Sequence, residues 1–140
     1  MSRTTHVVAG VIRHGDWILV SQRPPGKNLA GMWEFPGGKV IAGESESDAL
    51  QRELSEELGL VQLQVGRCLD TVHDRQPHHT LVLSFYEVYL PLVPEQYPLG
   101  TAGHTGSEGQ RVDWRRIRDL RSADFPPANR GVLRTLGGQA

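Results

Sequence analysis

The chain has 140 residues, 38% of them hydrophobic, and its 15 lysines and arginines against 16 aspartates and glutamates give a formal net charge of −1. This is the length of one ordinary domain, expected over residues 1–140, and the balanced charge excludes a broad basic surface for nucleic-acid polymers. Cys68 is the only cysteine. A disulfide framework is therefore excluded, and with neither a membrane-spanning apolar run nor a signal-peptide pattern we expect a cytoplasmic protein.

Four β-strands are predicted from stretches rich in β-branched and aromatic residues. They cover residues 6–13, 17–22, 61–72 and 80–90. A short apolar piece, residues 33–35, lies between two breaks that contain proline and glycine. Residues 91–109 hold three prolines and four glycines, which predicts a long surface loop.

Three helices are predicted. In residues 47–58 leucines recur every four positions, at 50, 54 and 58, and Gly59 follows as a helix stop. A short helix is expected over residues 114–120, and a terminal helix over residues 129–136 after two prolines. Strands flanking helices in one chain indicate an α/β or α+β sandwich.

Three glutamates share one face of the first predicted helix. Glu53, Glu56 and Glu57 stand at i, i+3 and i+4, beside the leucine stripe that faces the core. Carboxylates at this spacing repel each other, and a hard divalent cation such as Mg²⁺ or Mn²⁺ would neutralise them. Residues 44–57 as a whole hold six acids and one base, Arg52, which is placed to pair with Glu56. The alternative interpretation is an ordinary solvated helix face.

Two further features have competing interpretations. Gly37 and Gly38 allow the backbone to approach a phosphate or a metal closely, and they also suit a plain turn. Residues 111–140 carry seven arginines and three acids. We interpret most of these arginines as a solvated helix face, from which one or two could reach a substrate phosphate, rather than as a DNA-binding module: Arg111, Arg115, Arg116, Arg118 and Arg121.

The glycines and the acidic helix belong to one longer pattern. Gly38 is followed after five residues by Glu44, and after seven more by the run Arg-Glu-Leu-Ser-Glu-Glu-Leu-Gly-Leu at residues 52–60. Seven fixed residues and two apolar positions of the Nudix box are all present, a chance match on the order of 10⁻⁷ or less with average residue usage. The chain therefore resembles the Nudix hydrolases, with a box over residues 38–60.

The resemblance implies a fold, a cofactor and a set of roles. Nudix enzymes place the box as a loop-helix-loop on an α/β/α sandwich with a mixed β-sheet, bind Mg²⁺ or Mn²⁺, and split nucleoside diphosphates linked to another group. It implies Glu53 as catalytic base, Arg52 and Glu44 as its support, and Lys39 as either a phosphate contact or a solvated lysine. The implied metal ligands are Gly38, Glu53, Glu56 and Glu57, with Glu56 also counted among the catalytic residues.

Other stretches are similar to the MutT-type members of the family, which hydrolyse 8-oxo-dGTP to 8-oxo-dGMP and pyrophosphate. They are Gln22-Arg23, residues 33–39, Glu108-Gly109-Gln110, Trp114 and residues 124–129. The similarity implies base reading by Asn129, a base pocket with Arg23 and Phe35, substrate binding at Gly37, and a further acid near the metal at Glu108. The structural alternatives are an N-cap for Asn129, a strand-end ion pair for Arg23 and a core aromatic for Phe35.

The sequence leaves two alternatives for the base that the enzyme prefers. His78 stands where a close relative has arginine, and we place it at the rim of the base pocket or on the surface; if it replaces a base-contacting arginine, discrimination for 8-oxoguanine would be weakened. Residues 22–24 and 31–35 also resemble pyrimidine-nucleotide Nudix pyrophosphohydrolases of the CTP or dCTP type. A non-catalytic nucleotide-binding regulator is a third reading, and the intact box glutamates count against it. We expect a nucleoside triphosphate as partner, no membrane, and a monomer, with a dimer as the alternative.

Overall fold

A computed structural model describes residues 3–137, which form one mixed β-sheet between two α-helices. The strands are β1 (Arg3–His14), β2 (Trp17–Gln22), β3 (Trp33–Glu34), β4 (Gly37–Lys39), β5 (Gln64–Gln76), β6 (His79–Tyr89), β7 (His104–Thr105) and β8 (Arg111–Arg116). The helices are α1 (Glu46–Leu58) and α2 (Arg130–Leu136), and three 3₁₀ turns connect β8 to α2. Neither α-helix within residues 3–137 has the length and apolar character needed to cross a bilayer.

The sheet has the order β5-β6-β1-β2-β8-β7, with β3 added to β2 and β4 added to β1. β1 and β6 are parallel from Arg3↔His79 to Arg13↔Tyr89, and the other pairs are antiparallel. β1 thus lies at the centre of the sheet and receives the short strand β4 on part of its other edge. The predicted mixed sheet is confirmed.

Alternating side chains of the central strands feed two cores on opposite faces of the sheet. Val8 and Ile12 of β1 pack with the leucines of α1, and Ala9 and Val11 pack with Val132 and Leu133 of α2. The predicted stripe of α1 is confirmed, since residues Leu50, Leu54 and Leu58 are all buried. The result is the α/β/α sandwich expected from the sequence.

Local signals set the ends of α1. The Ser45 hydroxyl accepts a hydrogen bond from the backbone N–H of Asp48 at 3.1 Å and so caps the N-terminus. Gly59 ends the helix in the left-handed conformation, φ 66°, as the sequence predicted, and its N–H bonds to the Ser55 carbonyl at 2.9 Å. Both ends of the helix that carries the glutamates are therefore fixed.

The helix predicted over residues 114–120 is wrong. Residues 111–116 form β8, which pairs antiparallel with β2 from Ser21↔Val112 to Trp17↔Arg116, and a single 3₁₀ turn follows at Ile117–Asp119. Pairing with a distant strand and burial of Val112 and Trp114 override the weak local helix signal here. The predicted strand over residues 61–72 is displaced toward the C-terminus, to Gln64–Gln76.

Candidate active site

A cavity of about 1040 Å³ opens where β4, the end of α1, the β5–β6 hairpin and three loops meet. Eight of the residues singled out in the sequence line it: Arg23, Phe35, Gly37, Gly38, Lys39, Glu57, Glu108 and Asn129. Four others do not line it and lie on or next to α1: Glu44, Arg52, Glu53 and Glu56. The structure thus brings the acidic helix and the distant Asn129 to one hollow.

Gly38 lies directly against the carboxyl group of Glu53. A Cβ at this position would stand 2.3 Å from the Glu53 Cδ atom and 2.6 Å from both carboxylate oxygens. A Cβ at Gly37 would instead stand 1.9 Å from the backbone oxygen of Val8 in β1. Glycine is required at both positions because a neighbouring group leaves no room for a side chain. That group is the Glu53 carboxyl of α1 at Gly38 and the backbone of β1 at Gly37.

Arg52 connects the loop before α1 to the glutamates on it. Its Nη2 and Nε atoms donate to the two carboxylate oxygens of Glu44 at 2.6 and 3.1 Å, a bidentate pair. Nη1 donates to Glu53 at 3.0 Å and to Glu56 at 3.5 Å, and Nη2 also donates to the Lys39 carbonyl at 3.0 Å. Hydrogen bonding to Arg52 keeps the pKa of the Glu44 carboxyl below its ordinary value. Arg52 therefore orients Glu53, and Glu44 braces Arg52.

Glu57 is the acid of the site whose pKa is shifted most from its ordinary value. Burial, together with the negative charges of Glu53, Glu108 and Glu34, raises the pKa of its carboxyl to about 8. Four acids therefore face one another at this end of the cavity, whereas the Glu56 carboxylate, 61% exposed, turns toward Arg52. Positive charge brought to this end would favour the ionised form of Glu57.

The raised pKa of Glu57 predicts a pH-dependent stability. A carboxyl group whose pKa is higher in the folded state stabilises the fold below its unfolded pKa and loses that contribution as the pH rises through about 8. We expect the Tm of chelator-treated protein to fall between about pH 5 and about pH 9, and Glu57→Gln to flatten that fall, as measured by thermal unfolding. Identical pH profiles for the two proteins would contradict the assignment.

The chemistry of the site suits a hard divalent cation. Within residues 3–137 no three His, Cys, Asp or Glu side chains already converge at metal-binding distances. The available donors are nevertheless carboxylate oxygens on α1 and on the loop at Glu108. Because residue 38 is glycine, no side chain stands between the backbone at that position and the Glu53 carboxylate. Oxygen-only donors with excess negative charge favour Mg²⁺ or Mn²⁺ over softer metals. The residues present fit such an ion.

Asn129 also lines the cavity. This residue is 5% exposed, precedes α2 without capping it, and its Nδ2 atom donates to the Pro126 carbonyl at 3.5 Å. The side-chain N-cap considered in the sequence does not form. Asn129 therefore presents a buried amide to the cavity.

Phe35 and Arg23 also line the cavity, and both already contact other parts of the protein. Phe35 stacks on Phe125 with ring centroids 5.4 Å apart and meets Phe85 edge-on at 6.1 Å, so it is a core aromatic that also lines the cavity. The Nη1 atom of Arg23 pairs with Glu34 at 2.7 Å, and its Nε atom donates to the Asn28 carbonyl at 2.6 Å. Arg23 holds the loop after β2 against β3.

The structure does not place His78 at the cavity. His78 lies exposed in the turn between β5 and β6, and the histidine of this hairpin that lines the cavity is His73. Of the two positions that the sequence left open for His78, the structure has the surface and not the rim, because His78 stands in the turn of the hairpin and not on the strands that line the cavity.

Sequence reasoning missed several further lining residues: Lys27, Glu34, His73 and Asp74. Glu34 had a usable signal, because it is an acid between two apolar aromatics, Trp33 and Phe35, in a predicted extended piece. Its position on β3 places it in the cavity beside Arg23, and burial raises the pKa of its carboxyl. The other three lie on loops or strand ends where the sequence carries no comparable pattern.

Three of the arginines after residue 110 form ion pairs within the protein. Arg111 and Arg115 pair with the buried Asp113 at 3.0 and 3.2 Å, and both guanidinium groups lie over the ring of Trp33, at 5.8 and 4.2 Å. Arg116 pairs with Asp16 on the neighbouring hairpin at 2.9 Å. The solvated helix face predicted for them is wrong, and none of the five borders the cavity among the described residues.

Comparison with known proteins decides the family. The NUDIX domain model matches residues 7–135. The chain belongs to the Nudix family. A Mycobacterium tuberculosis protein, provisionally named 8-oxo-dGTP diphosphatase 2, is 43% identical over 96% of this chain and 92% of its own. The 8-oxo-dGTP diphosphatase of Haemophilus influenzae is 36% identical over 93% of this chain and 89% of its own.

Two more similarities bear on this Nudix hydrolase. A solved MutT structure, from work on Aliivibrio salmonicida and Vibrio cholerae, superimposes with a TM-score of 0.63 and 34% identity over 95% of this chain and 96% of that one. The CTP pyrophosphohydrolase of Escherichia coli is 54% identical, but over only 39% of this chain and 40% of its own. Nudix hydrolases generally require a divalent metal and act on small nucleotide substrates.

Proposed function

We propose that this Nudix enzyme hydrolyses 8-oxo-dGTP to 8-oxo-dGMP and pyrophosphate with Mg²⁺, and that Mn²⁺ can substitute. The observation that carries the proposal is the shared cavity, which is lined by the acids Glu57 and Glu108 and also by the buried Asn129. The names of the two near-full-length relatives favour the same substrate. Such an enzyme, acting as a cytoplasmic monomeric domain of residues 1–140, would cleanse the nucleotide pool and so limit mutation.

The acidic end would hold the metal and the triphosphate. We assign the metal ligands as the Gly38 carbonyl and the carboxylates of Glu53, Glu56, Glu57 and Glu108. When bound, the ion would screen phosphate charge and lower the pKa of water. Glu53 would accept the proton of the attacking water, while Arg52, held by Glu44, keeps its carboxylate in place. Gly37 lets β4 lie close to the substrate, and Lys39 would contact a phosphate.

Asn129 would recognise the base. An amide offers both an acceptor and donors, so Asn129 can accept from N7–H and donate to O6 of 8-oxoguanine, whereas guanine has no hydrogen on N7. Phe35 would form the apolar wall beside the base, and Arg23 would contribute its guanidinium edge where Glu34 and Asn28 do not occupy it. Discrimination then comes from one buried hydrogen-bonding pair.

A pyrimidine-nucleotide pyrophosphohydrolase of the CTP type is the second candidate. It is favoured by the partial match to the CTP enzyme. The two candidates share the acidic end and differ in the recognition of the base, so only substrate preference separates them.

The deciding experiment is a kcat/KM panel with 8-oxo-dGTP, dGTP, dCTP, CTP and ADP-ribose, with and without Mg²⁺. We expect 8-oxo-dGTP to lead and pyrophosphate to be released. Asn129→Ala should lower kcat/KM for 8-oxo-dGTP about tenfold or more, through loss of a buried hydrogen bond worth ~1–3 kcal/mol, and should affect dGTP less. Asn28→Ala, the same change at an exposed position on the cavity rim, is the control. Orthophosphate as the only product, or a lead by CTP, would overturn the proposal.

A further inference from the structure

The loop that carries Glu108 contains a buried glutamine. Gln110 is 6% exposed, although Ser107, Glu108 and Gly109 before it are all exposed. Its Oε1 atom accepts a hydrogen bond from the backbone N–H of Glu108 at 2.9 Å. Burying an amide is costly unless it is hydrogen-bonded. The side chain of Gln110 therefore replaces hydrogen bonds to water with a hydrogen bond that holds the backbone of Glu108.

The turn is built to fit that side chain. A Cβ at Gly106 would stand 2.6 Å from the Cδ and Nε2 atoms of Gln110, so the amide group lies flat against the glycine. The N–H of Gly106 donates to the Gln110 carbonyl at 2.9 Å, and that of Gly109, at φ +79°, donates to the Gly106 carbonyl at 3.0 Å. Any side chain at position 106 would displace Gln110 from Glu108.

The same turn is anchored to α1. The N–H of Ser107 donates to the backbone carbonyl of Glu57 at 3.0 Å, and the side chains of Glu57 and Glu108 line the same cavity. Carboxylates this near repel each other when no cation lies between them. The Gln110 and Ser107 hydrogen bonds are the contacts that hold Glu108 beside Glu57 against that repulsion.

We propose that Gln110 is a positioning residue that fixes the backbone of Glu108 so that its carboxylate faces the acidic end of the cavity. The inference rests on the proposed function, in which Glu108 is a metal ligand. Gln110 does not line the cavity itself and would act through Glu108. Two measurable properties depend on it: divalent-cation affinity and the protection of the Glu108 amide.

The test compares wild type, Gln110→Met, Glu108→Gln and the double variant. Methionine keeps the length of glutamine but gives the Glu108 N–H no oxygen acceptor. We expect Gln110→Met to weaken Mn²⁺ binding about tenfold, as is common when a residue supporting a ligand is lost, and to speed hydrogen exchange of the Glu108 amide by a similar factor. The double variant should bind Mn²⁺ no more weakly than Glu108→Gln alone. Free Mn²⁺ is measured by electron paramagnetic resonance and exchange by NMR.

Gln96→Met is the matched control. Gln96 lies on the same long loop and bonds through Nε2 to the Leu58 and Gly59 carbonyls, at 3.4 Å each, rather than to the turn of Glu108. It should leave Mn²⁺ affinity unchanged. If Gln110→Met fails to fold, Gly106→Ala provides the second test, because its Cβ displaces the intact Gln110 side chain.

The outcomes separate the inference from the proposed function. Unchanged Mn²⁺ affinity in Gln110→Met, unchanged exchange of the Glu108 amide, or additive losses in the double variant would each overturn the inference. If the coupling is found but wild type releases no pyrophosphate from 8-oxo-dGTP, the inference is supported and the proposed function is overturned.

Discussion

Replacing Glu53 by glutamine is expected to lower kcat by about 10²- to 10⁴-fold, the contribution typical of a positioned general base. KM should change little, because the substitution removes charge from the step in which water loses its proton rather than from substrate binding. The proposed base lies in a fixed place: its carboxylate is against Gly38 and accepts a hydrogen bond from Arg52 at 3.0 Å.

Glutamine is the informative substitution because it preserves this geometry. Its side-chain oxygen can still accept from Arg52, and its volume still fills the space that Gly38 leaves open. The bidentate pair between Arg52 and Glu44 does not involve Glu53 and should persist. Loss of turnover would then reflect the lost charge and proton acceptor rather than a collapsed site.

The measurement is steady-state hydrolysis of 8-oxo-dGTP with pyrophosphate detection, together with Tm to confirm folding. Glu46→Gln is the control on the same helix, since Glu46 accepts a hydrogen bond from the Tyr86 hydroxyl at 3.0 Å and does not line the cavity. We expect Glu46→Gln to keep kcat. A wild-type kcat in Glu53→Gln would refute the base assignment.

Features with local signals were predictable from the sequence. The leucine spacing and Gly59 predicted α1 with its buried face and its end, because both depend on interactions within a few residues. The acidic cluster was predictable for the same reason: its glutamates lie within two turns of one helix. The sandwich and the mixed sheet followed from the resemblance carried by the box.

Features set by distant pairing were not predictable. Residues 111–116 form a strand because they pair with the distant strand β2, a contact that no local pattern encodes. The position of His78 likewise depends on hairpin register. The place of Asn129 in the cavity could be expected only from the family resemblance, because Asn129 is remote in sequence from the box.

Side chains that support the site were the hardest to predict. Gln110 and Gly106 resemble ordinary loop residues in the sequence, and their fit to each other emerges only when the turn is folded. Glu34 is similar, because its pairing with Arg23 depends on β3 joining β2. The sequence thus indicated which residues would carry the proposed chemistry, but not most of the side chains that hold them in place.

Gly38→Ala is expected to lower kcat/KM about 100-fold, since displacing a catalytic group by about 1 Å can cost that much. The added Cβ would stand 2.3 Å from the Glu53 Cδ atom, so the carboxylate has to move off Gly38 and out of its bond with Arg52. Because the obstructed atoms end a flexible side chain, the fold should survive with a small fall in Tm.

Gly37→Ala, at the neighbouring position, is the variant to compare with Gly38→Ala. Its Cβ would meet the backbone oxygen of Val8 at 1.9 Å, and β1 cannot yield as a side chain can, so the pairing of β4 with β1 should be disrupted and Tm should fall markedly. Measuring Tm and kcat/KM for both variants therefore separates a steric requirement of the site from one of the sheet. In a Glu53→Gln background Gly38→Ala should cost little further activity, because the group it displaces no longer acts as a base. Wild-type kcat/KM in Gly38→Ala would show that the placement of Glu53 against this glycine is not needed for turnover.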